Sequence, residues 1–327
     1  MKILVTGAAG FIGSHLCQAL LKNSAYHVVG IDHFIGPTPA TLKTGNIQSL
    51  ELNSRFQFIR EDILNTDLSK LLQDIDVVYH LAAIPGVRTS WGKDFQPYVT
   101  NNIMVTQQLL EACKHIKLDK FIHISTSSVY GEKSGAVSED LLPIPLSPYG
   151  VTKLSGEHLC HVYHKNFHIP IVILRYFTVY GPRQRPDMAF HRLIKQMLED
   201  KPLTIFGDGT QTRDFTYIDD CIRGTVAALE TKKNIIGEVI NIGGKEQASI
   251  LDIISMLEKI SGKSATKNFL KSVPGEPKQT WADISKASTL LQYSPTVSLS
   301  DGLEAEYDYI KQLYKGDAAW SHPQFEK

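Results

Sequence analysis

Apolar residues along this chain fall into short unbroken runs, separated by longer stretches of helical spacing. Ile3-Leu4-Val5, His27 to Ile31, Phe56 to Ile59, Val77 to Leu81, Phe121 to Ile124 and Ile171 to Leu174 each read as a buried strand. Helical patterns run from Phe11 to Leu21, Asn101 to Lys114 and Tyr149 to Asn166. Short strands apolar on both faces, alternating with helices, predict an α/β fold built on a doubly wound parallel sheet. After about residue 180 Pro and Gly become denser, and helical stretches remain at Phe190 to Leu198 and Ile250 to Ile260. The pattern predicts a dinucleotide-sized domain over 1–180 and a smaller mixed α/β domain over 181–319. Later segments such as 214–245 are available to rejoin the first domain.

Composition narrows the function. Lys plus Arg and Asp plus Glu are both 34 in 327 residues, so the formal net charge is zero. No broad nucleic-acid or anionic-membrane surface is expected. No apolar run reaches the roughly 20 residues that span a bilayer. Met1 to Val5 leads straight into a glycine-rich segment without a signal-peptide pattern, so a cytoplasmic protein is expected. Cys17, Cys113, Cys160 and Cys221 form no CxxC pair and read as free buried thiols. The histidines include His161 and His164, yet no set has zinc-ligand spacing, and no metal is expected. Trp320 to Lys327 (WSHPQFEK) looks like a streptavidin-binding purification tag and is set apart from the fold.

Gly7-Ala8-Ala9-Gly10-Phe11-Ile12-Gly13 is a GxxGxxG segment between a strand and a helix. Gly7, Gly10 and Gly13 allow a tight turn, and the amides of Phe11 and Ile12 open a helix whose positive end suits a pyrophosphate. Asp32 closes the second strand at the spacing of an acid that binds a ribose 2′-hydroxyl and repels a 2′-phosphate. The expected cofactor is NAD rather than NADP, and the sheet is then Rossmann-type. Asp62-Ile63, after the third strand, reads either as an adenine contact or as a helix cap.

Tyr149 and Lys153 lie four apart on one helical face. About one such pair is expected by chance, and there are two, the other being Tyr307–Lys311. Position separates them. Tyr307–Lys311 is remote from any strand end and reads as a surface pair. Tyr149 opens a helix after the fifth strand, whose carboxyl end carries Thr126, where open α/β sheets place ligands. A phenol of pKa near 10 is a poor base at neutral pH, and a nearby ammonium or an oxidised nicotinamide lowers that value. Tyr149 is therefore the candidate acid–base, Lys153 its electrostatic partner and nicotinamide-ribose ligand, and Thr126 the donor to the substrate oxygen.

On these residues the chain resembles the extended short-chain dehydrogenase/reductase superfamily of nucleotide-sugar epimerases and dehydratases. The likeness spans residues 1–315. It also includes Leu81-Ala82-Ala83, Asn101, STSSVYG from Ser125, Arg175 to Thr178, Gly181-Pro182-Arg183, Arg213-Asp214-Phe215 and Asn241-Ile242-Gly243. The resemblance implies that Leu81, Ala82, Ala83 and Asn101 contact the cofactor. Where dehydratases and UDP-glucuronate decarboxylases carry carboxylates after the catalytic Thr, this chain has Ser127 and Ser128, which points to an epimerase. Thr178 to Ala189 (TVYGPRQRPDMA) and Ala83 to Arg88 look like the UDP-glucuronate 4-epimerase subgroup.

That resemblance implies 4-epimerisation of UDP-glucuronate to UDP-galacturonate through a 4-keto sugar. Thr126, Ser127, Ser128 and Thr178 would hold the carboxylate without adding like charge. Arg88, Arg185, Arg192 and Arg213 are candidates for the diphosphate and for closing the sugar site. Glu276 of Pro274-Gly275-Glu276 is a candidate ribose ligand. Val273 stands where UDP-galactose 4-epimerases have an Arg, so phosphate contacts do not transfer as a set. Trp281-Ala282-Asp283 reads as the start of a packed helix. Helices over 94–115 and 148–166 are expected to pair in a homodimer. Epimerisation of neutral UDP-hexoses, UDP-glucuronate decarboxylation and a non-enzymatic NAD-binding module remain as alternatives.

Overall fold

The structure, a computed structural model, describes residues 1–315; the tag-like Trp320–Lys327 lies outside the described residues. Twelve strands occur among them: β1 (Lys2–Thr6), β2 (His27–Ile31), β3 (Phe56–Ile59), β4 (Val77–His80), β5 (Lys120–Thr126), β6 (Ile171–Tyr176), β7 (Thr178–Tyr180), β8 (Leu203–Phe206), β9 (Thr212–Tyr217), β10 (Val239–Ile242), β11 (Glu246–Ser249) and β12 (Lys267–Leu270). The α-helices are α1 (Phe11–Leu20), α2 (Ala40–Gln48), α3 (Leu68–Leu71), α4 (Gln96–Tyr98), α5 (Val105–Cys113), α6 (Pro148–Phe167), α7 (Ala189–Leu198), α8 (Ile218–Glu230), α9 (Ile250–Ser261), α10 (Ser285–Leu291) and α11 (Leu299–Lys315).

The six predicted strands and β10 form one seven-stranded sheet of order β10-β6-β5-β4-β1-β2-β3, and every pair in it is parallel. The order reverses between β1 and β4, which opens a crevice beyond their carboxyl ends. Leu4 and Val78 face one core with α5 and α6, while Ile3 and Val5 face the other with α1 and α8. A third core gathers Phe190, Leu193, Ile253 and Leu303 from α7, α9 and α11 around β8.

The structure corrects several expectations. Within the 214–245 stretch expected to rejoin the first domain, Val239–Ile242 forms a seventh strand, β10, at the edge of the sheet beside β6. Its apolar run is broken by Asn241, which is nevertheless buried because Tyr130 Oη donates to it at 2.8 Å and it donates to the Val137 carbonyl at 2.9 Å. The fourth strand ends at His80, and β5 and β6 run on through polar Ser125-Thr126 and Arg175-Tyr176. The helix predicted from Asn101 begins as a π-helical turn, Val99–Met104, before α5. Trp281-Ala282-Asp283 is extended rather than helical: Ala282 bridges to Val137, and α10 starts at Ser285. Tyr307–Lys311 is not a surface pair either. Tyr307 is buried in the third core, and the Lys311 ammonium lies 5.6 Å from its ring centre.

Candidate active site

The crevice at the strand reversal continues into a cavity of about 570 Å³ whose walls include every residue nominated above for cofactor, catalysis or substrate. On the cofactor side the chain turns sharply at Gly7, where φ is +71°. A Cβ on Gly13 would stand 2.1 Å from the Gly7 carbonyl oxygen, and one on Gly7 would stand 3.0 Å from Ala82 N. Helix α1 has no side-chain N-cap, so its first-turn amides at Phe11, Ile12 and Gly13 meet the cavity backbone-first. These features fit a dinucleotide pyrophosphate.

Asp32 is buried at the end of β2. Its carboxylate accepts from Phe34 N at 2.7 Å and Ala9 N at 3.2 Å, and it pairs with Lys43 Nζ at 2.8 Å. Sequence reasoning missed Lys43, which sits on α2 with no motif to flag it. Asp62 caps the turn after β3, accepting from Leu64 N at 3.0 Å, and lines the cavity together with Ile63. Asn101 turns its amide to the Pro97 carbonyl, although it lines the cavity. The adjacent Asn102 was also missed, and it is buried. It brackets Ile84 through both backbone groups and donates to Thr152 Oγ1 at 3.0 Å, fastening the 81–86 loop to α6.

Helix α6 presents Tyr149 and Lys153 to the floor of the cavity, with Ser147 as N-cap and Pro148 in the first turn. Lys153 is 4% exposed. Burial brings its ammonium down to about 8, against the pull of Cys160 and Glu157. Burial also raises the Tyr149 phenol, and the groups that pull it back are Arg185 and Thr126. The sequence named Lys153 for that task, so the lowering groups in this structure are different ones. The Tyr149 ring meets Tyr98 edge-on at 6.2 Å, and the Tyr98 hydroxyl shares a 2.6 Å bond with Thr89 Oγ1. Tyr98, unnoticed in the sequence, thus holds the loop that carries Arg88. Thr126 Oγ1 accepts from Ser128 N at 3.2 Å and so caps the 3₁₀ turn Ser127–Val129, which gathers the hydroxyls of Thr126, Ser127 and Ser128 at the end of β5.

The opposite wall is cationic. Arg88 and Arg192 lie over the Phe206 ring, at 4.2 and 5.1 Å from its centre. Burial and the nearby Arg88 charge bring Arg192 down to about 10. Arg185 makes a two-pronged pair with Asp187 at 2.9 Å. Glu276 pairs with Arg88 at 2.6 Å and Arg213 at 3.5 Å, so its carboxylate is engaged by two guanidinium groups rather than standing open as a ribose ligand. Thr178 lines the cavity at the start of β7. No group of His, Cys, Asp and Glu suited to a metal occurs among the described residues.

The family model of the NAD dependent epimerase/dehydratase family matches residues 3–243. The chain belongs to that family. Relatives within it are close. A crystal structure of UDP-glucuronic acid 4-epimerase from Bacillus cereus in complex with NAD is 97% identical, covers 96% of this chain and 100% of that one, and superposes with a TM-score of 0.92. An uncharacterised UDP-glucose epimerase of Bacillus subtilis is 62% identical over 97% of this chain and 100% of its own. A UDP-glucuronate 4-epimerase of Thermodesulfobacterium geofontis is 44% identical over 94% and 96%.

Proposed function

We propose that this epimerase-family chain converts UDP-glucuronate and UDP-galacturonate by NAD-dependent inversion at carbon 4, through a 4-keto sugar. The observation that carries the reading is the hydroxyl set at the end of β5: Thr126, Ser127 and Ser128 line the same cavity as Tyr149, and none of them is a carboxylate. Bound NAD supplies a hydride acceptor and donor for carbon 4. Tyr149 takes the proton of the 4-hydroxyl and later returns it to the 4-keto oxygen. Lys153 holds positive charge beside the phenolate that forms, and Thr126 donates to the same substrate oxygen. Gly7, Gly10, Phe11, Ile12 and Gly13 hold the pyrophosphate of the cofactor, and Asp32 with Lys43 frames its adenosine ribose. Ile63, Leu81, Ala82, Ala83 and Asn101 wall the rest of that site.

Ser127, Ser128 and Thr178 fix the sugar carboxylate by neutral donors. That restraint matters because a 4-keto uronate is a β-keto acid, and an unrestrained carboxylate aligned with the carbonyl leaves as carbon dioxide. Arg88, Arg185, Arg192 and Arg213 bind the diphosphate and close the sugar site. Glu276 exchanges an arginine contact for ribose hydroxyls when substrate enters. We assign residues 1–180, together with α8 and β10 from the 214–245 stretch, to the cofactor side and the rest of 181–315 to the substrate side. Exposed Met104, Val151 and Val162 on the 94–115 and 148–166 helices support a homodimer. No helix among the described residues is long and apolar enough to cross a membrane, which accords with a cytoplasmic enzyme.

Proton NMR of UDP-glucuronate incubated with the purified protein, with no NAD added, tests the reading. A growing UDP-galacturonate anomeric signal is expected. A UDP-pentose signal would make the chain a decarboxylase instead. Turnover of UDP-glucose but not UDP-glucuronate would favour a neutral-sugar epimerase, the activity in the name of the Bacillus subtilis relative.

A further inference from the structure

Behind the catalytic pair lies a buried ionic group that the reaction does not touch. Glu157 is one helical turn beyond Lys153, so Tyr149, Lys153 and Glu157 follow at i, i+4 and i+8 along one face of α6. Glu157 is 1% exposed and Arg175 4%. Arg175 Nε and Nη2 donate to the two Glu157 oxygens at 2.9 and 2.6 Å. Ser125 Oγ donates to Glu157 Oε1 at 2.5 Å. Ser125 and Arg175 are direct partners in the β5–β6 ladder, one residue before Thr126 and Tyr176. One carboxylate therefore joins the helix carrying Tyr149 to the strand carrying Thr126.

Apolar packing would hold a helix on a sheet at lower desolvation cost, since buried ion pairs are poor sources of net stability. What a two-pronged pair provides is a defined depth and register. We propose that Glu157 is a positioning residue: with Ser125 and Arg175 it sets the placement of Tyr149 and Lys153 against Thr126, and it keeps Lys153 in its charged form. The proposal rests on the epimerase reading. The groups facing Lys153 leave Glu157 that second task. Tyr149 and Cys160 share its helix and carry no charge in their resting forms. His80 from β4 and His123 from β5 are both driven strongly towards the neutral form, chiefly by burial. Arg175 is tied up in its two-pronged pair with Glu157. Cys160 and Glu157 are the groups that oppose desolvation of the Lys153 ammonium, and since burial pushes the Cys160 thiol far up, Glu157, ion-paired with Arg175, is the charged one of the two.

The test measures kcat, KM and the pH profile of the NAD-loaded full chain on UDP-glucuronate. Glu157→Gln is expected to leave KM within twofold, to lower kcat about tenfold, and to move the alkaline limb of kcat/KM down by about one pH unit. Should the uncompensated Arg175 prevent folding, the paired variant Glu157→Met with Arg175→Met carries the same prediction without a buried lone charge. Ser125→Ala, which removes a single hydroxyl, is expected to lower kcat about threefold at unchanged KM. A paired variant with wild-type kcat and a wild-type alkaline limb would mean that Glu157 only neutralises Arg175, and would overturn the proposal. Unaltered kcat in Ser125→Ala would overturn the tether to β5. No turnover by the unmodified chain would remove the epimerase reading and this inference together, whereas normal turnover with unmoved variants removes this inference alone.

Discussion

The two walls of the cavity are built by different means. The cofactor wall is backbone: Gly7 turns with positive φ, Gly13 packs so closely on Gly7 that a Cβ would fall 2.1 Å from its carbonyl oxygen, and α1 offers uncapped amides. The substrate wall is side chain: Arg88, Arg192 and Arg213 come from segments far apart in the chain and meet on Phe206 and Glu276. A backbone cradle is determined by a short local sequence and tolerates no added atom. A side-chain cluster forms only after the chain has folded, and its strength is set by charge and desolvation rather than by a fixed turn.

The sharpest break lies between the walls, at Tyr149. Tyr149→Phe should lower kcat by about 10³-fold or more while NAD stays bound, because only the proton acceptor is removed; a steady-state assay with the nucleotide content of the purified protein checks both halves. On the cofactor wall, Gly13→Ala should cost about 3 kcal/mol or more, because both colliding atoms are held by backbone. Loss of bound NAD and a fall in Tm are the readouts, and full NAD occupancy would show that the loop yields. On the substrate wall, Arg213→Ala should raise KM for the UDP-sugar about 30-fold with Tm nearly unchanged, the weight of a charge-assisted contact. Arg213→Lys should recover part of that, whereas no residue other than Gly should suit position 13.

Smaller effects sharpen the contrast further. In the proposed reaction Lys153 must be charged to stabilise the Tyr149 phenolate. Burial brings it down to about 8, so activity is full below that pH and falls as the pH rises through it, about tenfold per unit once well above. A kcat/KM profile flat to pH 10 would contradict the role of the ammonium. The smallest change is expected at Asp32. Asp32→Ala removes the partner of Lys43 and leaves that ammonium for a 2′-phosphate, so the NAD/NADP affinity ratio should fall about tenfold by calorimetry.

Much of this was legible in the chain because the relevant patterns are local. Continuous apolar runs marked β1 to β6, the glycine spacing marked the turn before α1, and the spacing from Tyr149 to Lys153 marked a helical face. What escaped notice shares a different property. β10 was missed because Asn241 interrupts its run, and only its partners Tyr130 and Val137 explain how an amide is buried there. Trp281 to Asp283 looked helical until pairing with Val137 drew the segment out straight. Lys43, Tyr98 and Asn102 carry ordinary residue types at ordinary spacings. Their importance lies in Asp32, Thr89 and Ile84, residues that they reach only in the folded state.

By itself, then, the sequence determined six of the seven strands of the sheet and the cofactor turn, and it nominated the reacting side chains, because periodicity, glycine geometry and phenol chemistry act within a few residues. Tertiary structure alone decided how the charges are shared. It engaged Glu276 with Arg88 and Arg213, made Asp62 a cap, lowered the Lys153 ammonium, and set Glu157 between Ser125 and Arg175. Those outcomes depend on which groups burial forces together, and desolvation is a property of the assembled interior that no segment of the chain carries alone.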